Sequence, residues 1–202
     1  VDFYNNQKYQ YLFATEQEIH LIDRNGEMVE NYPLKLANRN LSGISLFDYN
    51  NSNQFRIFLT TENGYIYGFE KSGKPLPGWS PKRDGQFDLP VQYVEAEGLD
   101  YIIAANRDGR VWMFNRRGDL RRPAINLGQN FNQNFTVIQQ PAGFELVNIS
   151  TTGILYKIDK EGNVTRDTLP QLMGEMSFLA VDIAGDAALE YVVLSENKLA
   201  GF

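Results

Sequence analysis

The chain has 202 residues, 43% of them hydrophobic and 13% aromatic, enough for a sizeable core; disordered, collagen-like and coiled-coil classes are excluded. Nineteen basic against 25 acidic residues leave a formal charge of −6, so no nucleic-acid partner is expected, and no apolar run reaches the ~18 residues of a membrane span. Cysteine is absent, which removes disulfide scaffolds, zinc–thiolate sites and thiol catalysis.

In chain order, Val1 to Tyr4 align with an inner strand and Tyr11 to Thr15 form a first apolar run. Ile19-His20-Leu21-Ile22-Asp23-Arg24-Asn25-Gly26 follows, with the order apolar, ring, any, apolar, acidic or Asn, two residues, Gly. Arg56 to Thr60 precede the next copy, Ile66-Tyr67-Gly68-Phe69-Glu70-Lys71-Ser72-Gly73. Tyr101 to Ala105 precede Val111-Trp112-Met113-Phe114-Asn115-Arg116-Arg117-Gly118, and Glu145 to Ile149 precede Leu155-Tyr156-Lys157-Ile158-Asp159-Lys160-Glu161-Gly162. Tyr191 to Ser195 precede a clipped copy, Leu199-Ala200-Gly201-Phe202. The anchors Ile22, Phe69, Phe114, Ile158 and Phe202 are spaced by 47, 45, 44 and 44 residues. Such regularity marks a structural repeat.

Each apolar run is joined to its ring-bearing strand by a polar turn such as Glu62-Asn63-Gly64 or Arg107-Asp108-Gly109, where Asn-Gly and Asp-Gly supply positive φ. Another strand precedes each run, as in Ile44 to Phe47, and a weaker one follows each copy, as in Val29 to Leu34. Four short strands per ~45 residues, apolar on both faces, predict blades stacked between neighbours. The expected fold is therefore all-β: a β-propeller of about five four-stranded antiparallel blades, the fifth incomplete. The blades fall at about 1–36, 42–82, 88–127, 133–170 and 176–202, within a single domain 1–202. The short fifth copy leads us to expect a fragment of a longer protein, monomeric or paired with another chain through the open strand edge.

The second blade, Gly64-Tyr65-Ile66-Tyr67-Gly68-Phe69-Glu70-Lys71-Ser72-Gly73-Lys74 closing on Gly78-Trp79, resembles the repeat of pyrroloquinoline-quinone-type propellers. That family holds quinone-dependent dehydrogenases and many non-enzymatic bacterial envelope scaffolds, so the resemblance implies a fold more than a function. Asp182, Asp186 and Glu190 are similar to positions 1, 5 and 9 of integrin-type calcium loops. Position 3 is Ala184, and the earlier copies Asp48-Asn50-Ser52 and Asp2-Tyr4-Asn6 are also incomplete. A loop closed by carboxylate hydrogen bonds to its own backbone is the favoured reading, so no cofactor is expected, with calcium the one this loop pattern would admit.

Catalytic motifs are absent: no Gly-x-Ser-x-Gly occurs, and the single histidine, His20, holds the ring position of the repeat and is expected to pack within or between blades. The arginines Arg107, Arg110, Arg116, Arg117, Arg121 and Arg122 concentrate in the third blade. Arg116, Arg117, Arg121 and Arg122 form the candidate anion patch, set against an ordinary solvated surface. Trp112 is expected in the core, whereas Trp79, between Pro77 and Pro81, is expected to be looser and a candidate for stacking on a glycan. Inner strands would place Asp48, Gln92, Glu95, Gln139, Gln140 and Asp182 along a channel.

The expected function is a non-enzymatic interaction or scaffold module of a bacterial envelope or secreted protein, with a protein or glycan partner. One alternative is an enzyme using channel carboxylates, either a quinone-dependent oxidoreductase or a glycan-active lyase or hydrolase. The other is a calcium-binding adhesin-type propeller. The expected location is periplasmic, cell-surface or secreted.

Overall fold

The structure, a computed structural model, describes residues 1–50, 52–80, 85–169, 176–181, 183–184, 189–195 and 198–201, the side chain of Lys198 excepted. The candidate calcium-loop residues Asp182 and Asp186 lie outside the described residues. Among the described residues there are strands and turns and no helix.

The turns show most directly how sequence dictates geometry here. The amides of Asp23, Glu70, Asn115 and Asp159 donate to the carbonyls four residues on, at 2.8–3.1 Å. The amides of Gly26, Gly73, Gly118 and Gly162 donate back to those same four residues. All four glycines have φ between +84° and +87°, a region that side-chain-bearing residues avoid. This is a three-residue loop: a type I turn followed by one left-handed residue in a bulge. The turns ending at Gly64, Gly109 and Gly153 are built the same way, so the Asn-Gly and Asp-Gly pairs need a single positive φ each.

Among the described residues five antiparallel sheets result, each with its strands in sequence order. The first holds β1 (Tyr11–Ala14), β2 (Glu18–Ile22) and β3 (Leu34–Lys35); the second holds β4 (Ser45–Phe47), β5 (Arg56–Thr60) and β6 (Ile66–Glu70). The third has β7 (Gln92–Ala96), β8 (Leu99–Ala105), β9 (Arg110–Phe114) and β10 (Ile125–Asn126). The fourth has β11 (Thr136–Gln140), β12 (Gly143–Ile149), β13 (Ile154–Asp159) and β14 (Val164–Thr168). The fifth has β15 (Met176–Val181), β16 (Glu190–Ser195) and β17 (Lys198–Gly201), three strands as its short sequence copy leads one to expect.

Two local expectations are corrected. The inner strand at Val1 to Tyr4 shrinks to one residue: the Val1 ammonium and the Gln10 amide exchange hydrogen bonds with each other's carbonyl, both 2.8 Å. Asp2 then bends the chain away by accepting the amides of Asn6 and Gln7 at 3.0 and 2.9 Å. The fourth strand at Val29 to Leu34 is displaced to Leu34–Lys35, because Val29 bonds back to Leu21 and Asn31 turns the chain at φ 70.

The described chain divides into two compact units. Unit 1 comprises Val1–Tyr93, Asp100–Ala104 and Met113–Arg121; unit 2 comprises Val94–Leu99, Ala105–Trp112 and Arg122–Phe202. In unit 1, Ile19 and Leu21 of the first sheet share a core with Ile57 and Leu59 of the second. In unit 2, Val147, Ile149 and Leu155 of the fourth sheet share one with Met176 and Val193 of the fifth. Side chains alternate across a strand, so each of these sheets has one face in its core and one face turned away.

Candidate functional site

A groove of about 260 Å³ with a mixed lining lies in unit 1. One wall is Lys35, Leu36, Ala37 and Asn38, where the chain leaves β3; the other is Tyr67, Gly68 and Phe69 of β6. Thr61 and Pro75 complete the lining. The first wall is held by the Leu36 amide, which donates to the Gln17 carbonyl at 2.8 Å. The second lies within the sheet ladder, with Tyr67 opposite Leu59 and Phe69 opposite Ile57. Polarity concentrates at the Tyr67 hydroxyl, which accepts from Asn38 Nδ2 and Asn63 Nδ2, each at 3.4 Å. Lys35 is the one charged residue of the lining and is exposed.

The floor is Gly68, the small position of the repeat, and behind it stands Trp79. The indole meets Phe58 edge-on with ring centroids 4.9 Å apart, and its Nε1 donates to the Ile66 carbonyl at 3.0 Å. Trp79 is half-buried and anchored, which corrects the expectation of a loose ring free to stack on a glycan. It also accounts for the missing fourth strand among the described residues of the second sheet. Pro75 and Pro77 have no N–H to donate, and the indole takes up a ladder carbonyl instead. Trp112 is fully buried, as expected.

Of the candidate anion-patch arginines, Arg116 and Arg121 use their guanidinium groups within the protein. Arg116 grips Asp100 with two hydrogen-bonded contacts, Nε to Oδ2 at 2.6 Å and Nη2 to Oδ1 at 2.8 Å. Its guanidinium lies 4.3 Å over the Tyr49 ring, and Tyr93 donates its hydroxyl to Asp100 at 2.6 Å. Burial, helped by that bond to Asp100, pushes the Tyr93 phenol up to about 12. Burial also raises the Tyr49 phenol well above the usual tyrosine range. Arg121 donates from Nε to the Asp100 carbonyl at 2.5 Å and covers the Tyr101 ring. Arg117 is exposed, with its carbonyl taking the Ser80 amide at 3.0 Å. Arg122 belongs to unit 2 and packs near Gly162. Asp100 is thus the residue that organises this cluster, and sequence reading missed it; its one sequence signal is a carboxylate beside the apolar run of β8.

The channel candidates fall in different settings. Asp48 accepts the amides of Ser52 and Asn53 at 3.1 and 2.7 Å, closing its own loop. Gln92 is half-buried in β7, Glu95 is exposed on the same strand, and Gln139 and Gln140 are exposed on β11. Asp48 and Gln92 belong to unit 1, Glu95 and Gln139 to unit 2. Glu190 accepts the Ile183 amide at 2.8 Å, the same loop-closing use of a carboxylate. Among the described residues no three His, Asp or Glu side chains cluster as a metal site. His20 stacks flat on Phe13 across the strand pair, 5.0 Å between centroids, and its Nε2 lies 3.2 Å from Glu18. That is packing within one sheet.

No family model and no curated protein matches this sequence. Solved structures do match it in shape. A structure of BBS1N in complex with ARL6DN aligns with a TM-score of 0.66 at 15% identity, covering 96% of this chain and 60% of that one. The WD40 beta propeller domain of Doa1 aligns with a TM-score of 0.58 at 15% identity and the same coverage. The fold is a β-propeller. The computationally designed Ika8 protein also aligns, with a TM-score of 0.52 at 13% identity, over 95% of this chain and 57% of that one. The chain therefore spans about 60% of the length of the first structures it matches. The five antiparallel sheets are the blades of this propeller, numbered here as the sheets were.

Proposed function

We propose that the chain is a non-enzymatic interaction module, and that the groove between β3 and β6 takes one large apolar side chain from an extended segment of a protein partner. The groove itself carries this reading. Sites for drug-sized ligands and cofactors run from about 300 to 1,000 Å³, and 260 Å³ falls below that range. An apolar floor of Phe69 and Gly68, amide and phenol groups at one end and a single lysine at the lip suit a side chain flanked by a carboxylate. The BBS1N propeller, in its structure, is in complex with ARL6DN, and a protein partner for the present chain is in keeping with that precedent. The setting we propose, a bacterial envelope or secreted protein, rests on the likeness of the second blade to pyrroloquinoline-quinone-type repeats.

The test is an amide chemical-shift titration with two blocked tetrapeptides, acetyl-Glu-Leu-Phe-Glu-amide and acetyl-Lys-Leu-Phe-Lys-amide. Shifts should concentrate on Lys35 to Asn38 and Tyr67 to Phe69 with the acidic peptide, and Lys35→Glu should transfer the preference to the basic one. Dispersed shifts, or none with either peptide on the folded protein, refute the reading.

A further inference from the structure

The fourth blade ends in an outer strand unlike those of the first and third. β14 runs unbroken for five residues in register with β13, from Val164 opposite Ile158 to Thr168 opposite Ile154. The corresponding strands β3 and β10 are two residues long, with Pro33 just before one and Pro123 shortly before the other. Short strands and prolines blunt a sheet edge, which otherwise offers its unpaired backbone groups to passing chains. β14 has neither device: Val-Thr-Arg-Asp-Thr holds no proline, and three of its five residues are β-branched.

Its ladder uses only half of its backbone groups. The Leu169 amide donates to the Gly153 carbonyl and the Asp159 amide to the Asn163 carbonyl, so the odd-numbered residues of this segment face β13. Antiparallel pairing alternates, and the N–H and C=O groups of Val164, Arg166 and Thr168 therefore point away from the sheet. Among the described residues no strand lies beyond β14, and all five of its side chains are exposed.

The side chains add a charge pattern. Arg166 and Asp167 are neighbours in sequence and so stand on opposite faces of the strand. Neither has an opposite charge against it among the described residues. Lys157, on the Asp167 face opposite Thr165, holds its ammonium 5.2 Å from the centre of the Tyr191 ring instead.

We propose that this edge takes an extended segment of a partner protein as a fifth, antiparallel strand, and that the segment carries a Lys-Glu pair, Lys opposite Asp167 and Glu opposite Arg166. Backbone hydrogen bonds to Val164, Arg166 and Thr168 hold the segment, and the two charges fix its register. Charge also argues against a second copy of β14. Outward-facing residues pair with outward-facing residues, so two β14 strands in full overlap set Arg166 against Arg166 at the centre. A step one way sets Asp167 against Asp167, and a step the other way keeps only Val164 to Arg166 in the overlap. The edge lies within one sheet of unit 2 and does not depend on the groove of unit 1, so either reading can fail without the other.

The probe is acetyl-Thr-Lys-Glu-Thr-Val-amide, whose residues fall in turn opposite Thr168 to Val164, titrated into the 202-residue chain. Amide shifts should centre on Val164 to Thr168, and the amides of Val164, Arg166 and Thr168 should exchange more slowly as peptide is added. Methylating the Glu nitrogen, which donates to the Arg166 carbonyl in this register, should abolish binding. Methylating the Lys nitrogen, which points away, should not. Arg166→Glu with Asp167→Lys, both at exposed side chains, should turn a preference of about three-fold or more for this peptide into one for acetyl-Thr-Glu-Lys-Thr-Val-amide. No shifts on the folded protein up to about 5 mM peptide, or equal binding by the Glu-methylated peptide, overturn the proposal. So does protection of the three amides that grows with protein concentration in the absence of peptide, which would put a second copy on the edge.

Discussion

Trp79 packs directly on Gly68: a Cβ added to that glycine would lie 3.1 Å from Trp79 Cδ1, and 3.2 Å and 3.3 Å from Phe58 Cε1 and Leu76 Cβ. The close approach, with the indole bond to the Ile66 carbonyl, fixes the end of the second blade. Gly68 has an ordinary strand conformation, so its requirement is for space rather than for unusual φ.

Gly68→Ala should therefore destabilise the protein by about 1–3 kcal/mol through overpacking, read as a lower urea midpoint at unchanged m. Trp79→Phe, which keeps a ring and loses the bond to the Ile66 carbonyl, should cost about 1 kcal/mol or more. If Gly68→Ala stabilises instead, the indole is free to move and the packing on Gly68 is loose.

Asp100 should matter more than any arginine around it. Its carboxylate holds two guanidinium nitrogens of Arg116 and the Tyr93 hydroxyl, and the Asp100 side chain is only 18% exposed. Asp100→Ala leaves all three donors without their acceptor and should cost on the order of 2–3 kcal/mol. Arg116→Lys keeps the charge but cannot make the two-pronged contact or lie flat on Tyr49, so it should cost less but clearly more than zero. Urea unfolding of the two variants should rank them in that order; equal and negligible losses would reduce the cluster to a surface ion pair.

Alkaline pH should weaken the fold through its tyrosines. Burial raises Tyr32 from 10.0 to about 12, and burial with the Asp100 hydrogen bond raises Tyr93 equally. The folded state holds these protons more tightly than the unfolded chain. Their contribution is complete below about pH 10, where both states are protonated, and is lost as pH rises from about 10 through 12. Urea midpoints should be level up to pH 10 and then fall, in step with phenolate absorbance. Tyr93→Phe should make the fall shallower; an unchanged slope would rule out Tyr93 as a contributor.

How far the sequence foretold this molecule depends on how local each signal is. The repeat was legible because its turns are: Asp159 and Gly162 are three residues apart, and their identities alone set the bulged turn. Ile57 and Val147 are buried within runs that the sequence shows as apolar on both faces, the pattern of strands lying between neighbouring sheets. The groove was not legible, because Lys35 to Asn38 meet Tyr67 and Phe69 only once the two sheets have packed, and the Asn38–Tyr67 hydrogen bond spans 29 residues of sequence. Nor was the Asp100 cluster, whose members Tyr49, Tyr93 and Arg116 are separated by tens of residues. The calcium-loop likeness drew on acidic spacing, and at Asp2 and Asp48 those same carboxylates close loops by accepting backbone amides. Side-chain acceptors for amides and ligands for cations are chemically the same groups, so spacing alone does not separate them.

Asp2 and Asp48 form a matched pair, and they should be energetically coupled. Each accepts the amides four and five residues on, at 3.0 and 2.9 Å for Asp2 and 3.1 and 2.7 Å for Asp48. Each loop then turns through a left-handed residue, Gln7 at φ 61 and Asn53 at φ 58. The loops are tied together by Asn53 Nδ2 donating to Asn5 Oδ1 at 2.6 Å, and by Lys71, whose ammonium donates to the carbonyls of Phe3 at 3.0 Å and Asn53 at 3.5 Å. Removing one carboxylate releases two amides and loosens the loop that the other helps to position. Asp2→Ala and Asp48→Ala should each cost about 1–2 kcal/mol. The double variant should lose less than the sum by about 0.5 kcal/mol or more, because the second loop is already slack once the first is freed. A double-mutant cycle in urea measures the difference directly. Strict additivity would mean that the Asn5–Asn53 and Lys71 contacts transmit nothing, and that each loop is stable on its own.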